Sequence, residues 1–272
     1  MPKTEGRRVA LIGGGNMGGA IAAGMVDADL VPAERVTVVD VSAEVRKRLE
    51  DELGVATTSD ASEVVDAHDI LILALKPQIW RGVAESFREM VGPSHLVLSI
   101  MGGVTTSAME EVLGEGVPVV RAMPNILAQV RAGISAVCAG RWADDAHVDL
   151  VMETLGAVGD TVAVDEWQMD AVTGLSGSGP AYVYSMIDAL ADGGVKAGLP
   201  KSVALQLAAK TVFGAAKVVL ELGEHPAALR DRVTSAGGTT IAGLHALEQG
   251  GFRAALMSAV EAAAQRSREL GG

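Results

Sequence analysis

An apolar run, Val9–Ile12, leads directly into Gly13-Gly14-Gly15-Asn16-Met17-Gly18, and the residues that follow read as a helix. In a chain with 33 glycines a G-x-G-x-x-G spacing is weak by itself. Behind a buried strand, ahead of a helix and close to the N-terminus, it constrains the fold strongly. Gly13 permits a tight turn, Gly15 lets the backbone approach a pyrophosphate, and Gly18 lets the helix lie close on the strand. The helix start then presents free N–H groups and the positive dipole end to phosphates.

A second run, 36–39, ends at Asp40. A carboxylate there accepts hydrogen bonds from the adenine ribose and repels a 2′-phosphate. No Arg or Lys follows at once, the nearest being Arg46 and Lys47. The cofactor is therefore NADH or NADPH, leaning to NADH; the alternative for Asp40 is a turn cap. Further apolar runs at 70–75, 96–100, 117–121 and 134–138 alternate with helical stretches, including 42–53 with Ser42 as N-cap. That alternation implies right-handed βαβ units and a parallel sheet. Ala74-Leu75-Lys76-Pro77 and Ile100-Met101-Gly102 end strands on the edge where ligands sit in open α/β sheets, which predicts that they line the cofactor groove. Lys76 is equally well read as a surface lysine.

From Glu166 onward no strand stands out. Helices are expected over 180–197, 202–222, 226–235, 240–249 and 253–270, with breaks at Gly198-Leu199-Pro200, around Gly223 and at Gly250-Gly251. The chain thus divides into a dinucleotide-binding part, 1–165, and a helical part, 166–272. Aromatics are only 3%, so the core must be built from Ala, Val, Leu, Ile and Met. Residues 205–219 are apolar around most of a helix circumference, which implies burial on several sides. In so small a helical domain that points to a second subunit, with a self-contained bundle as the alternative.

Other classes fit poorly. A net charge of −12 argues against nucleic acid as a partner. Cys138 is a lone cysteine, the five histidines lack metal-ligand spacing, and no Ser lies in a G-x-S-x-G elbow. No metal is expected. The N-terminus has no secretory pattern, and apolar runs such as 70–75 are far shorter than the roughly 20 residues that span a bilayer, so a cytoplasmic protein without membrane contact is expected. Two stretches rich in glycine and hydroxyl groups ask for a purpose. Thr173-Gly174-Leu175-Ser176-Gly177-Ser178-Gly179-Pro180 contacts a ligand or permits close packing. Val233-Thr234-Ser235-Ala236-Gly237-Gly238-Thr239-Thr240 precedes a helix and suits an anion such as a carboxylate, or else simply caps that helix.

These features together resemble pyrroline-5-carboxylate reductases. The similarity spans nearly the whole chain and rests on the glycine turn, Lys76-Pro77, Arg121-Ala122-Met123-Pro124-Asn125, residues 173–182, Gly198-Leu199-Pro200 and residues 233–240, the last being the most specific. The resemblance implies a Rossmann domain followed by an all-α dimerisation domain, with homodimers through the C-terminal helices that assemble in some members into decamers. It implies hydride transfer from NAD(P)H to the imine carbon of 1-pyrroline-5-carboxylate, giving L-proline. By the same resemblance, residues 12–17 (Ile12, Gly13, Gly14, Gly15, Asn16, Met17), 74–77 and 100–102 touch the cofactor. Ser235, Gly238 and Thr239 hold the substrate carboxylate, Thr240 reaches the imine nitrogen as the catalytic residue, and Glu166 is an acid near the substrate. Three positions depart from the family pattern: Ala236 replaces a usual proline, Ala61 a frequent asparagine, and Asp40 the polar or basic residue of NADPH-using members. One rival is a reductase of the same architecture acting on another imine or on a β-hydroxy acid, but no lysine of the helical half lies in the G-x-x-x-K context that hydroxy-acid dehydrogenases need. The other is a dinucleotide sensor without catalysis.

Overall fold

The structure, a computed structural model, describes residue 4 and residues 6–271. By contacts the chain forms two compact units, 1–178 together with 262–272, and 179–261.

The first unit is built on one sheet of eight strands: β1 (Val9–Ile12), β2 (Val36–Val39), β3 (Ala56–Thr58), β4 (Ile70–Leu73), β5 (Leu96–Ser99), β6 (Val119–Met123), β7 (Gly133–Ala139) and β8 (Gly159–Ala163). Their order is β3-β2-β1-β4-β5-β6-β7-β8. β1 is central to the cofactor edge, with Ile12 opposite Val39 on one side and Leu73 on the other. Alternate residues feed two cores: Val9 and Leu11 face one, Ala10 and Ile12 the other. Burial on both faces is why these strands read as unbroken apolar runs.

Helices α1 (Asn16–Asp27), α2 (Ala43–Leu53), α3 (Trp80–Phe87), α4 (Thr106–Leu113) and α5 (Asp145–Gly156) join the strands. Ser42 caps α2 by accepting from Val45 N at 3.3 Å. Gly24 lets α1 approach Val158, which a methyl group there would strike.

The sheet is not wholly parallel. β7 runs antiparallel to β6, with Arg121 opposite Cys138. The link between them holds only the 3-10 turn Ile126–Val130 and a left-handed Arg131 (φ 55°), too short for the crossover that a parallel neighbour requires. β3 and β8 were not expected from the sequence. Both are short and stand at the sheet's two edges, and neither carries a run of buried residues.

Residues 166–177 correct a second expectation. Residues 173–177, which precede the helix expected from residue 180, are themselves helical. A 3-10 turn (Glu166–Gln168), α6 (Met169–Val172) and a π-helical turn (Thr173–Gly177) lead into α7 (Gly179–Lys196). The hydroxyls are turned back on the helix: Thr173 Oγ1 donates to Met169 O at 2.8 Å and Ser176 Oγ to Val172 O at 3.1 Å. A Cβ on Gly177 would lie 2.8 Å from Met123 Cε, so close packing uses that glycine.

The second unit holds the whole of α7, α8 (Lys201–Leu222), α9 (Pro226–Arg232) and α10 (Thr239–Gln249), with the start of α11 (Phe252–Gly271). α7 and α8 form a hairpin through Ala191, Ala204 and Ala208 with Ile187 against them. Much of the remaining apolar surface is uncovered in the single chain, including Leu205, Leu207, Phe213 and Leu220 of α8. α8 is the one helix among the described residues long and apolar enough to cross a membrane by length and composition, which revises the expectation of short apolar stretches only. Lys201, Lys210, Lys217 and Glu221 divide it into short runs, which hid this in the sequence.

Candidate active site

The glycine turn is held by Gly13 N, which donates to Val39 O at 2.8 Å. Gly13 has φ 109°, and a Cβ there would meet the carbonyl of Ala74. A Cβ on Gly18 would meet the carbonyl of Gly13 and come 2.9 Å from Leu11 Cδ2. Gly15 is different. It is the N-cap of α1, no side chain caps the helix there, and its missing Cβ would point into open space. Two glycines therefore serve packing, while the third leaves room in front of uncapped amides. That is the fit expected for a pyrophosphate.

Neighbouring strand ends complete the edge. Ala74 N donates to Ile12 O at 2.9 Å, and Ile100 N to Leu73 O at 3.1 Å. Leu75 is half-buried, Lys76 and Pro77 are exposed, and a turn begins at Pro77. Ile12 and Met101 have side chains buried in the core, so only their main chain faces the edge. Asn16 is exposed and Met17 half-buried beside the turn; Gly14 is buried and Gly102 half-buried.

Asp40 is committed more heavily than its sequence position suggests. Oδ2 accepts from Gly14 N at 2.8 Å and Oδ1 from Ser42 N at 2.9 Å. The carboxylate thus ties the glycine turn to the start of α2, and lone pairs remain for a ribose hydroxyl. Arg46, a turn further along, folds back so that Nη1 donates to Asp40 O at 2.7 Å. A cation therefore stands beside Asp40 although none is adjacent in sequence. Arg48 Nη2 donates to Gly14 O at 3.3 Å.

In the second unit, residues 233–240 form a turn that opens α10. Gly238 N donates to Ser235 O at 3.1 Å, and Gly237 has φ 66°. Gly238 is the N-cap and no side chain caps the helix. The first-turn amides, from Thr239 onward, have no helical partner by construction. A Cβ on Gly238 would meet Ser235 Oγ, so a side chain there would push that hydroxyl aside. Ser235 and Thr239 are exposed and Thr240 is half-buried.

Glu166 sits in a different setting, within the first unit. Oε1 accepts from Thr106 N at 2.7 Å and from Arg121 Nη1 at 3.3 Å, and Oε2 accepts from Thr106 Oγ1 at 2.7 Å. It supplies an anion to the N-terminus of α4 and to a buried cation. Sequence reasoning missed Thr106 and Arg121 in this role. The available signal was a lone arginine closing the apolar run at 117–121. The Arg121 side chain is 4% exposed and its Nε has no hydrogen-bond partner among the described residues. Across from it, burial, then the nearby Glu166 charge, pushes the Cys138 thiol up to about 12. The thiol is inert as a nucleophile at neutral pH.

A concavity of about 700 Å³ runs along α4, lined by Glu110, Glu111, Glu115, Arg141, Trp142 and Glu166 among others. Four carboxylates against one arginine repel an anionic guest, so neither a dinucleotide phosphate nor a carboxylate substrate belongs there.

The chain is similar to known proteins over nearly its whole length. Residues 166–270 match the family described as pyrroline-5-carboxylate reductase dimerisation, and residues 8–103 the one described as NADP oxidoreductase coenzyme F420-dependent. A pyrroline-5-carboxylate reductase of Methanosarcina acetivorans is 45% identical over 98% of this chain and 99% of its own length. The crystal structure of the Coxiella burnetii enzyme of that name superposes with a TM-score of 0.92 at 35% identity, covering 98% of this chain and 99% of that one. That of Plasmodium falciparum pyrroline carboxylate reductase with NADP bound gives 0.89 at 30% identity over the same shares. The chain belongs to the pyrroline-5-carboxylate reductase family.

Proposed function

We propose that this chain reduces 1-pyrroline-5-carboxylate to L-proline, the last step of proline biosynthesis, with a nicotinamide dinucleotide as hydride donor. The observation that carries the reading is the pairing, in one chain, of two uncapped helix starts. One, at Gly15, is opened for a pyrophosphate; the other, at Gly238, is shaped for a small carboxylate. When bound, the reduced nicotinamide supplies the hydride. The protein supplies position. Ile12 to Gly18, Asp40, residues 74–77 and 100–102 hold the dinucleotide. Ser235 and the amides of Gly238 and Thr239 fix the substrate carboxylate, and Thr240 Oγ1 orients the imine nitrogen. Orientation of two bound reactants is itself a large contribution to rate. Solvent or the substrate brings the proton, because the Glu166 carboxylate is already engaged by Thr106 and Arg121.

The Asp40 carboxylate taken by itself favours NADH over NADPH. Residues 1–165 act as the cofactor half and 166–272 as the substrate-binding and dimerisation half, the latter supported by the match over 166–270. The uncovered apolar residues of α8 suit a homodimer, which light scattering would separate from a monomer or a decamer. The cytoplasm is the expected location. The test is absorbance at 340 nm with purified protein, pyrroline-5-carboxylate, and NADH or NADPH in separate cuvettes. Oxidation of either nucleotide that depends on the imine supports the proposal; no turnover with both overturns it.

A further inference from the structure

The end of β2 carries an arrangement that a lone Asp40 does not describe. The Arg46 guanidinium rests on the main chain there, with Nη1 donating to the carbonyls of Asp40 at 2.7 Å and Val41 at 3.2 Å. Arg46 forms no ion pair among the described residues, and its Nε and Nη2 donate to no protein group among them. The adjacent cations are spoken for: Lys47 pairs with Asp51 at 2.9 Å and Arg48 turns to Gly14. Meanwhile two amides, Gly14 N and Ser42 N, donate to the Asp40 carboxylate. Val41 beside it is 89% exposed, so the lip is open to a ligand.

Electrostatically, a carboxylate with an unpaired guanidinium on its own main chain is a neutral site, not an acidic one. The planar guanidinium keeps two donor groups free, the geometry that phosphates select. We propose that Arg46 accepts the 2′-phosphate of NADPH, so that the chain takes both nucleotides, while Asp40 accepts the ribose hydroxyls of NADH and tethers the glycine turn. Arg46 determines specificity and takes no part in hydride transfer. This rests on the dinucleotide reading above.

The test is fluorescence titration of the wild-type protein, Arg46→Ala and Arg46→Lys with NADPH and with NADH, without substrate. Adenosine 2′,5′-bisphosphate and 5′-AMP serve as competitors. Arg46→Ala is expected to weaken NADPH and the bisphosphate about ten- to a hundredfold, the scale of a charge-assisted bond. NADH and 5′-AMP should stay within about threefold, and Arg46→Lys should recover part of the NADPH loss. Equal loss of both nucleotides, no loss of either, or a wild-type protein that binds NADH and rejects NADPH overturns the inference alone. A wild-type protein that binds neither nucleotide overturns the dinucleotide reading with it.

Discussion

Replacing Glu166 by Ala removes the carboxylate that pairs with Arg121. The Arg121 side chain is 4% exposed and that of Glu166 29%, so water reaches only one partner. Breaking a buried pair by deleting one member costs about 3–5 kcal/mol, because the remaining charge is stranded. The part-exposed acid places this site at the lower end, about 3 kcal/mol. The same change strips Thr106 N and Oγ1 of their acceptor at the start of α4. At about 2–4 °C per kcal/mol for a chain of this class, Tm should fall by about 6–12 °C. Arg121→Met makes the opposite cut. It removes the buried charge together with its partnerless Nε, and leaves Glu166 bonded to Thr106 and partly in water. It should cost clearly less. Differential scanning fluorimetry at one fixed protein concentration compares the two. A Glu166→Ala shift below about 2 °C, or an Arg121→Met variant that is the less stable of the pair, would refute the reasoning.

Thr240→Ala should lower kcat about ten- to a thousandfold at unchanged Tm, since its hydroxyl caps nothing in the protein; turnover at the wild-type rate removes Thr240 from the mechanism. Gly15 and Gly18 should separate binding from folding. Gly15→Ala fills only open space and should weaken nucleotide binding at least tenfold without lowering Tm, whereas Gly18→Ala drives a methyl into Gly13 and should lower both; identical behaviour of the two variants contradicts these roles. His68 should give an acid-side slope. Its Nδ1 lies 2.6 Å from Val64 O and its Nε2 3.0 Å from Thr37 Oγ1, and burial holds its pKa below the usual value of about 6.5. The unfolded chain then binds the proton first, so this contribution is present above about pH 6.5 and is lost as pH falls through the folded-state value. Urea midpoints at pH 7.5 and 5.5 should differ more for the wild type than for His68→Gln, and equal differences would count against it.

Sequence alone determined the elements whose chemistry is local. β1, the glycine turn and α1 follow from an apolar run, three glycines at fixed spacing and a helix start, all within 20 residues. The turn at Gly238 is legible for the same reason, because caps and left-handed glycines act over a few residues. The apolar excess of α8 likewise announced a surface that one chain does not cover. Tertiary structure decided what depends on distant partners. β7 is antiparallel because of the length of a link, and β3 and β8 join the sheet through pairing rather than through any apolar pattern of their own. Glu166 meets Thr106 and Arg121 across 60 and 45 residues. Charges interact through space, and a sequence records their order but not their separation.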